Sequence, residues 1–411
     1  MVSLPSRIFI ATVSLVAAVA LCPRPGAADT GELGVPTSIS DPSGRALHNF
    51  HASLRLVEAG SVKLRVVVLG ASHVAGDGFT SLLRRRLQAR FGDAGAGFVV
   101  LARPWTKYNR RDLQVTYSPR WRSYWVGRDR QRGDGLYGLA GASFVSGSPE
   151  AFGRVATTAK SGKVRHVSSF EIFYWARPLG GTIDVFIDEK RRDPIPTRAD
   201  VPGPGYRVYA VDDRPHRLEL RPRGDGEVML FGAALERDVP GVVLDSLGVN
   251  GARAGDQLKW DDALFAAHLS HRHPALVVLA YGTNESGDKR DPISHYEARL
   301  EKVVARVRRA APLASCLLVG PSDWPLREAG AYHARPRQRE IIDAQRRAAH
   351  RHGCGFWDWR AAMGDALSML RWRAASPPLA LTDNVHLTLA GYEKIGGLLW
   401  GALMEGYDRM R

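Results

Sequence analysis

Val66-Val67-Val68-Leu69-Gly70-Ala71-Ser72-His73-Val74-Ala75-Gly76-Asp77 decides the reading of this chain. A β-branched run with no polar residue suits a parallel strand covered on both faces. Gly70 and Gly76 permit two sharp turns. Phe79, Leu82, Leu83 and Leu87 then recur at helical spacing. A serine placed here stands at the carboxyl end of a first strand, where open α/β sheets hold their ligands. The helix start behind it brings free N–H groups and a positive dipole end.

The chain has 411 residues, enough for a large core and more than one average domain. A hydrophobic content of 45% with 24% charged residues excludes a disordered chain. A net charge of +15 favours anionic partners. After Arg7 comes an apolar run from Ile8 to Leu21, too short to span a bilayer comfortably. Small residues at Gly26-Ala27-Ala28 then suit signal cleavage after Ala28. The expectation is an exported protein, secreted or periplasmic, with no stable membrane insertion after cleavage and no nucleic-acid partner. Cleavage leaves Cys316 and Cys354, which are too few for a metal cluster. Each opens an apolar segment, so a disulfide between neighbouring strands and two buried thiols both stay open.

The α/β texture stops after a helix ending near Arg90 and resumes at Gly241-Val242-Val243-Leu244-Asp245. Strands are predicted near Val242–Ser246, Ala275–Ala280, Ser315–Gly320 and Gly355–Asp358. Helices are predicted at Ala46–Val57, Asp256–Leu269, Pro292–Ala310, Arg335–Arg351 and Thr388–Met404. That alternation implies parallel βαβ units. In between, short alternating runs such as Phe170, Ile172, Tyr174 and Ile183, Val185, Ile187 lie among Gly, Pro and Asp clusters. They point to an inserted antiparallel β-sandwich. The expected division is a signal peptide at 1–28, a lead-in at 29–62, an α/β core at 63–97 and 239–411, and the insert at 98–238.

Four short blocks fall at strand ends or helix starts of the core. They are Gly70-Ala71-Ser72-His73, Gly248-Val249-Asn250-Gly251-Ala252, Gly282-Thr283-Asn284-Glu285 and Asp383-Asn384-Val385-His386. A serine hydroxyl attacks an ester only when a base takes its proton. His386 is the candidate base, and Asp383 would fix its tautomer and stabilise the imidazolium.

Together the blocks resemble the SGNH hydrolases, the GDSL esterase/lipase superfamily, with Ser72, Gly251, Asn284 and His386 in the expected order. The resemblance implies a three-layer α/β/α, flavodoxin-like core with a parallel sheet. It implies Ser72, Asp383 and His386 as the catalytic set. It also implies an oxyanion hole formed by the backbone N–H groups of Ser72 and Gly251 and the side-chain amide of Asn284. No metal or organic cofactor is implied. One departure stands out: Ala71 occupies the place where the family usually has an aspartate that supports the turn.

The run Gly70–Phe79, followed by Arg90-Phe91-Gly92-Asp93-Ala94-Gly95, looks like the opening of the peptidoglycan O-acetylesterases. That group carries a β-sandwich resembling a carbohydrate-binding module between its first and second blocks, where the insert lies here. The implied activity is removal of O-acetyl groups from a wall glycan, peptidoglycan above all, through an acetyl-enzyme. Two alternatives stay open: transfer of the acetyl group to another sugar, and a wall-binding protein with a degenerate site. Within the insert, Trp105, Tyr108, Tyr117, Trp121, Tyr124 and Trp125 are interleaved with basic residues. Such a mixture suits stacking on sugars and pairing with carboxylates, or else interdomain packing beside a solvated basic face.

Overall fold

Five parallel strands form the central sheet, in the spatial order Gly241–Gly248, Lys63–Gly70, Leu276–Ala280, Ser315–Val319, Gly355–Trp357. Numbered along the chain this is 2-1-3-4-5, the doubly wound order of flavodoxin-like sheets. The computed structural model describes residue 1 and residues 33–409, apart from 106, 107, 109, 128, 129, 160 and 161. Except for Met1, the expected leader at 1–28 lies outside the described residues. No helix among the described residues is long and apolar enough to cross a membrane.

Each central strand is buried on both faces, which is why it reads as a continuous apolar run. Val66 and Val68 face one apolar layer, packed by the helices His48–Glu58, Phe79–Phe91 and Leu389–Arg409. Val67 and Leu69 face the other, packed by Asp262–Arg272, Ile293–Ala310 and Pro336–Arg351. The result is a three-layer α/β/α core.

The helix expected over Asp256–Leu269 is two pieces, a 3₁₀ turn Ala254–Lys259 and a helix Asp262–Arg272. Asp261 makes the break by accepting from Leu264 N at 2.7 Å, which caps the second piece. Arg306 donates to the carbonyls of Gln257, Trp260 and Asp261 at the break.

The middle of the chain forms two antiparallel sheets packed as a sandwich. One has the order Gly203–Arg214, Val167–Ala176, Val228–Glu236, Ala142–Ser146, Arg122–Trp125. The other has Gln114–Tyr117, Gly153–Ala156, Arg217–Pro222, Thr182–Ile187, Lys190–Pro196. The strand Gly95–Val99 pairs antiparallel with Val228–Glu236, so the sandwich begins before residue 98.

Core and sandwich share one apolar cluster and a buried ion network. Arg272 binds Asp245 at 2.9 Å and Glu236 at 2.7 Å, and Glu236 also binds Arg65 at 2.7 Å. Burial disfavours the Glu236 carboxylate, but these cations outweigh it and hold the group well below the usual range. On the far side of the sheet Leu317 pairs with Gly355, which brings the preceding residues together. Cys316 and Cys354 are joined as a disulfide, with Cα atoms 4.6 Å apart.

Candidate active site

Three of the four blocks follow the carboxyl ends of three adjacent strands. Ser72 follows the first strand, Gly251 the second and Asn284 the third. Gly70 and Gly248 pair as the last residues of their strands. A Cβ on Gly248 would strike the backbone of Ala71 and Ala75, and one on Gly70 would strike Val74 and the Ala280 carbonyl. These glycines therefore serve close approach: they let the helical turn Ser72–Ala75 sit directly on the strand ends. The left-handed residue that redirects the chain into Phe79–Phe91 is Asp77, at φ +48°, and not Gly76, at φ −79°.

His386 Nε2 lies 2.9 Å from Ser72 Oγ, across 314 positions of sequence. His386 Nδ1 lies 2.7 Å from Asp383 Oδ2. The other Asp383 oxygen accepts the backbone N–H groups of Val385 and His386 at 3.0 and 2.9 Å. Partial burial pushes the Asp383 carboxyl up, but these hydrogen bonds prevail and hold it below its ordinary value. Asp383 thus stays ionised beside Nδ1, which leaves Nε2 as the ring's acceptor toward the serine. The cap of the last helix falls to Thr388, whose Oγ1 accepts from Gly391 N at 3.2 Å.

The oxyanion candidates stand on the turns after three adjacent strands. Among the described residues the Ser72 and Gly251 N–H groups donate to no protein carbonyl. Gly251 has φ +73° and open space around it. Asn284 Nδ2 donates one hydrogen to the Ala252 carbonyl at 2.9 Å, fixing the amide against the Gly251 loop. Its second hydrogen is left for a ligand. Asn284 therefore holds a loop as well as offering a donor, and its side chain makes no helix cap.

Among the supports, Glu285 and the Asp77–Arg84 pair were not legible in the sequence, whereas a structural role for His73 and a different hold on the turn at Ala71 were. Glu285 is fully buried and accepts from Ala254 N at 2.8 Å and Gly282 N at 3.1 Å, so it ties the second block's loop to the third's. Burial pushes its carboxyl up to about 7. His73 is buried, with Nδ1 2.8 Å from Tyr392 Oη and Nε2 3.1 Å from Ser322 Oγ. Its ring lies 5.4 Å from that of His386. Burial, with the neighbouring His386, pushes it down to about 3, so it is a neutral spacer. Ala71 is buried, and its carbonyl accepts from Val74 N and Ala75 N, so backbone bonds hold the turn without an aspartate. Asp77 binds Arg84 at 2.8 Å, and Arg84 reaches on to Asp112 of the insert at 3.4 Å. For Glu285, His73 and Asp77 the signal was a polar residue inside an apolar pattern.

In the insert, a cavity of about 500 Å³ is lined by Trp105, Tyr117, Trp121, Trp125, Arg103 and Arg130. The interleaved residues divide between this cleft and structure. Trp121 Nε1 donates to the Phe152 carbonyl, and buried Arg110 holds the Ala96 and Phe98 carbonyls. Lys107 and Arg128 lie outside the described residues. Among the described residues no cluster of three or more His, Cys, Asp or Glu side chains is arranged to hold a metal ion.

Residues 218–394 match the model of the GDSL-like lipase/acylhydrolase family, a span that contains Gly251, Asn284, Asp383 and His386 while Ser72 precedes it. No curated protein matches the chain. Among solved structures, a peptidoglycan O-acetylesterase is 26% identical over 90% of this chain and 99% of its own, with a TM-score of 0.74. An alpha/beta hydrolase from the metagenome of Lake Arreo, Spain, is 21% identical over 41% and 74%, at TM-score 0.31. A family two carbohydrate esterase from Clostridium thermocellum is 11% identical over 71% and 98%, at 0.29. The chain carries a GDSL-like lipase/acylhydrolase domain with the SGNH hydrolase fold, and is a carboxylic ester hydrolase.

Proposed function

We propose that the protein is an exported O-acetylesterase of peptidoglycan that works through an acetyl-enzyme. The observation that carries this reading is the hydrogen-bonded line from Asp383 through His386 to Ser72, at 2.7 and 2.9 Å. Ser72 Oγ attacks the acetyl carbonyl while His386 Nε2 takes its proton. The Ser72 and Gly251 N–H groups and the free hydrogen of Asn284 receive the oxyanion, each such donor contributing about 10²–10³ in rate. The tetrahedral intermediate collapses as His386 returns the proton to the departing sugar oxygen. Water, deprotonated by His386, then attacks the acetyl-Ser72 ester and releases acetate.

The His386 and Asp383 side chains are 36% and 48% exposed, which gives water the access to an acyl-enzyme that hydrolysis requires. The peptidoglycan assignment rests on the 26% identical O-acetylesterase, aligned over nearly both whole chains. It accords with the +15 charge, which suits an anionic polymer, and with the aromatic cleft of the insert, proposed as a carbohydrate-binding-like domain that begins with the strand Gly95–Val99. The Cys316–Cys354 disulfide accords with an oxidising compartment, hence with export. Acetate release from O-acetylated peptidoglycan, set against acetylated xylan, tests the assignment. Peptidoglycan is expected to be the better substrate by kcat/KM, and a preference for xylan would overturn it.

A further inference from the structure

Leu326–Glu328 and Ala331–His333 pair as a hairpin between the fourth central strand and the helix Pro336–Arg351. The hairpin reaches the catalytic loop through one residue. Tyr332 Oη accepts from Asn384 Nδ2 at 3.2 Å, and Asn384 sits between Asp383 and His386 in sequence. Asn384 has φ +55°, a left-handed conformation that asparagine tolerates. Its Oδ1 accepts from Arg373 Nη1 at 2.8 Å. Two guanidinium groups thus converge on one ring, Arg373 at 5.9 Å and Arg327 at 5.8 Å from the Tyr332 centroid. Among the described residues neither has a carboxylate at salt-bridge distance. The ring's negative face offsets part of their repulsion, and a bound anion would offset the rest.

We propose that Arg327 and Arg373, set around Tyr332, form a carboxylate-binding subsite. It holds an acidic group of the substrate glycan or its peptide beside the ester presented to Ser72. The proposal rests on the reading of Ser72 as the ester-cleaving serine and goes beyond it in naming a charged group that the substrate must carry. Arg327 is exposed and, among the described residues, makes no hydrogen bond or ion pair with Ser72 or with Asp383–His386, so it is the residue to vary.

The experiment compares O-acetylated peptidoglycan fragments with the same fragments after their carboxyl groups are amidated. Arg327→Gln is expected to hydrolyse neutral p-nitrophenyl acetate at the wild-type rate. It should lose about three- to tenfold in kcat/KM on the carboxylated fragments, as expected of one exposed charge-assisted contact. The amidated fragments should be unaffected, and Arg327→Lys should recover much of the loss. An equal fall on both fragments, or a fall on neither, would overturn the subsite. Should wild type leave both fragments uncleaved, the peptidoglycan reading fails by itself. The subsite is then read from inhibition of p-nitrophenyl acetate hydrolysis by N-acetylmuramate against its methyl ester. Weaker inhibition of Arg327→Gln by the acid alone supports it, and identical inhibition of wild type and variant overturns it.

Discussion

Glu285 Oε1 accepts the backbone N–H of Ala254 at 2.8 Å, a hydrogen bond spanning 31 positions that fixes the loop after Gly251 against the one bearing Asn284. The carboxyl is raised to about 7 by burial. A group whose folded value is raised contributes stability that is fully present below its unfolded value, about 4.5, and is lost as pH rises through 7. Wild type should therefore lose thermal stability between pH 5 and pH 8. Glu285→Gln should flatten that decline, measured by calorimetry across the range, because nothing at position 285 then ionises.

His73 works in the opposite direction. Its folded value, about 3, lies below the ordinary 6.5. The stability it contributes is present above 6.5 and drains away as pH falls toward 3. His73→Leu keeps an apolar body against Trp359 but abandons the hydroxyls of Tyr392 and Ser322. A loss of about 1–3 kcal/mol at neutral pH is expected from those stranded groups. Denaturant melts at pH 7 and pH 4.5 should show the gap between variant and wild type narrowing in acid.

In the proposed mechanism Asn284 is an oxyanion donor as well as the partner of the Ala252 carbonyl, so its removal should cost more than a donor alone. Asn284→Ala loses a donor, about 10²–10³ in kcat. It also frees the Ala252 carbonyl and with it the Gly251 loop. The expected fall in kcat on p-nitrophenyl acetate is at or beyond the upper end of that range, with little change in melting temperature.

Asp77 is the hub where the turn bearing Ser72 meets the insert. It pairs with Arg84, which is 2% exposed, and Arg111 N approaches it at 3.3 Å. Asp77→Ala would leave a buried guanidinium with half its partners, a cost of about 3–5 kcal/mol. Chemical denaturation should report that loss, and Asp77→Asn should recover part of it by keeping the left-handed backbone and one acceptor.

The parts legible in the sequence were those written in local pattern. The run Val66–Gly70 reads as a doubly buried strand because its neighbours in the sheet demand no polar residue, and Ser72 follows from the turn beside it. His386 was legible only through its spacing from Asp383 within a short block. What escaped depends on contacts between distant segments. Glu285 looks like any helix-start glutamate until Ala254 N is seen at its oxygen. Gly95–Val99 carries two glycines in five residues, so nothing in its pattern marked a strand, yet Val228–Glu236 supplies the pairing that makes it one. The hairpin at Tyr332 is three residues a side, too short for any alternation to register.

In the proposed mechanism Ser72 is the nucleophile and His386 activates it. Mass spectrometry of wild type, Ser72→Ala and His386→Ala after exposure to a fluorophosphonate tests it directly. One adduct on wild type, mapped to the peptide bearing Ser72, none on Ser72→Ala, and labelling slowed by orders of magnitude in His386→Ala is the predicted result. Unchanged labelling of Ser72→Ala, or full esterase turnover by it, would contradict the account.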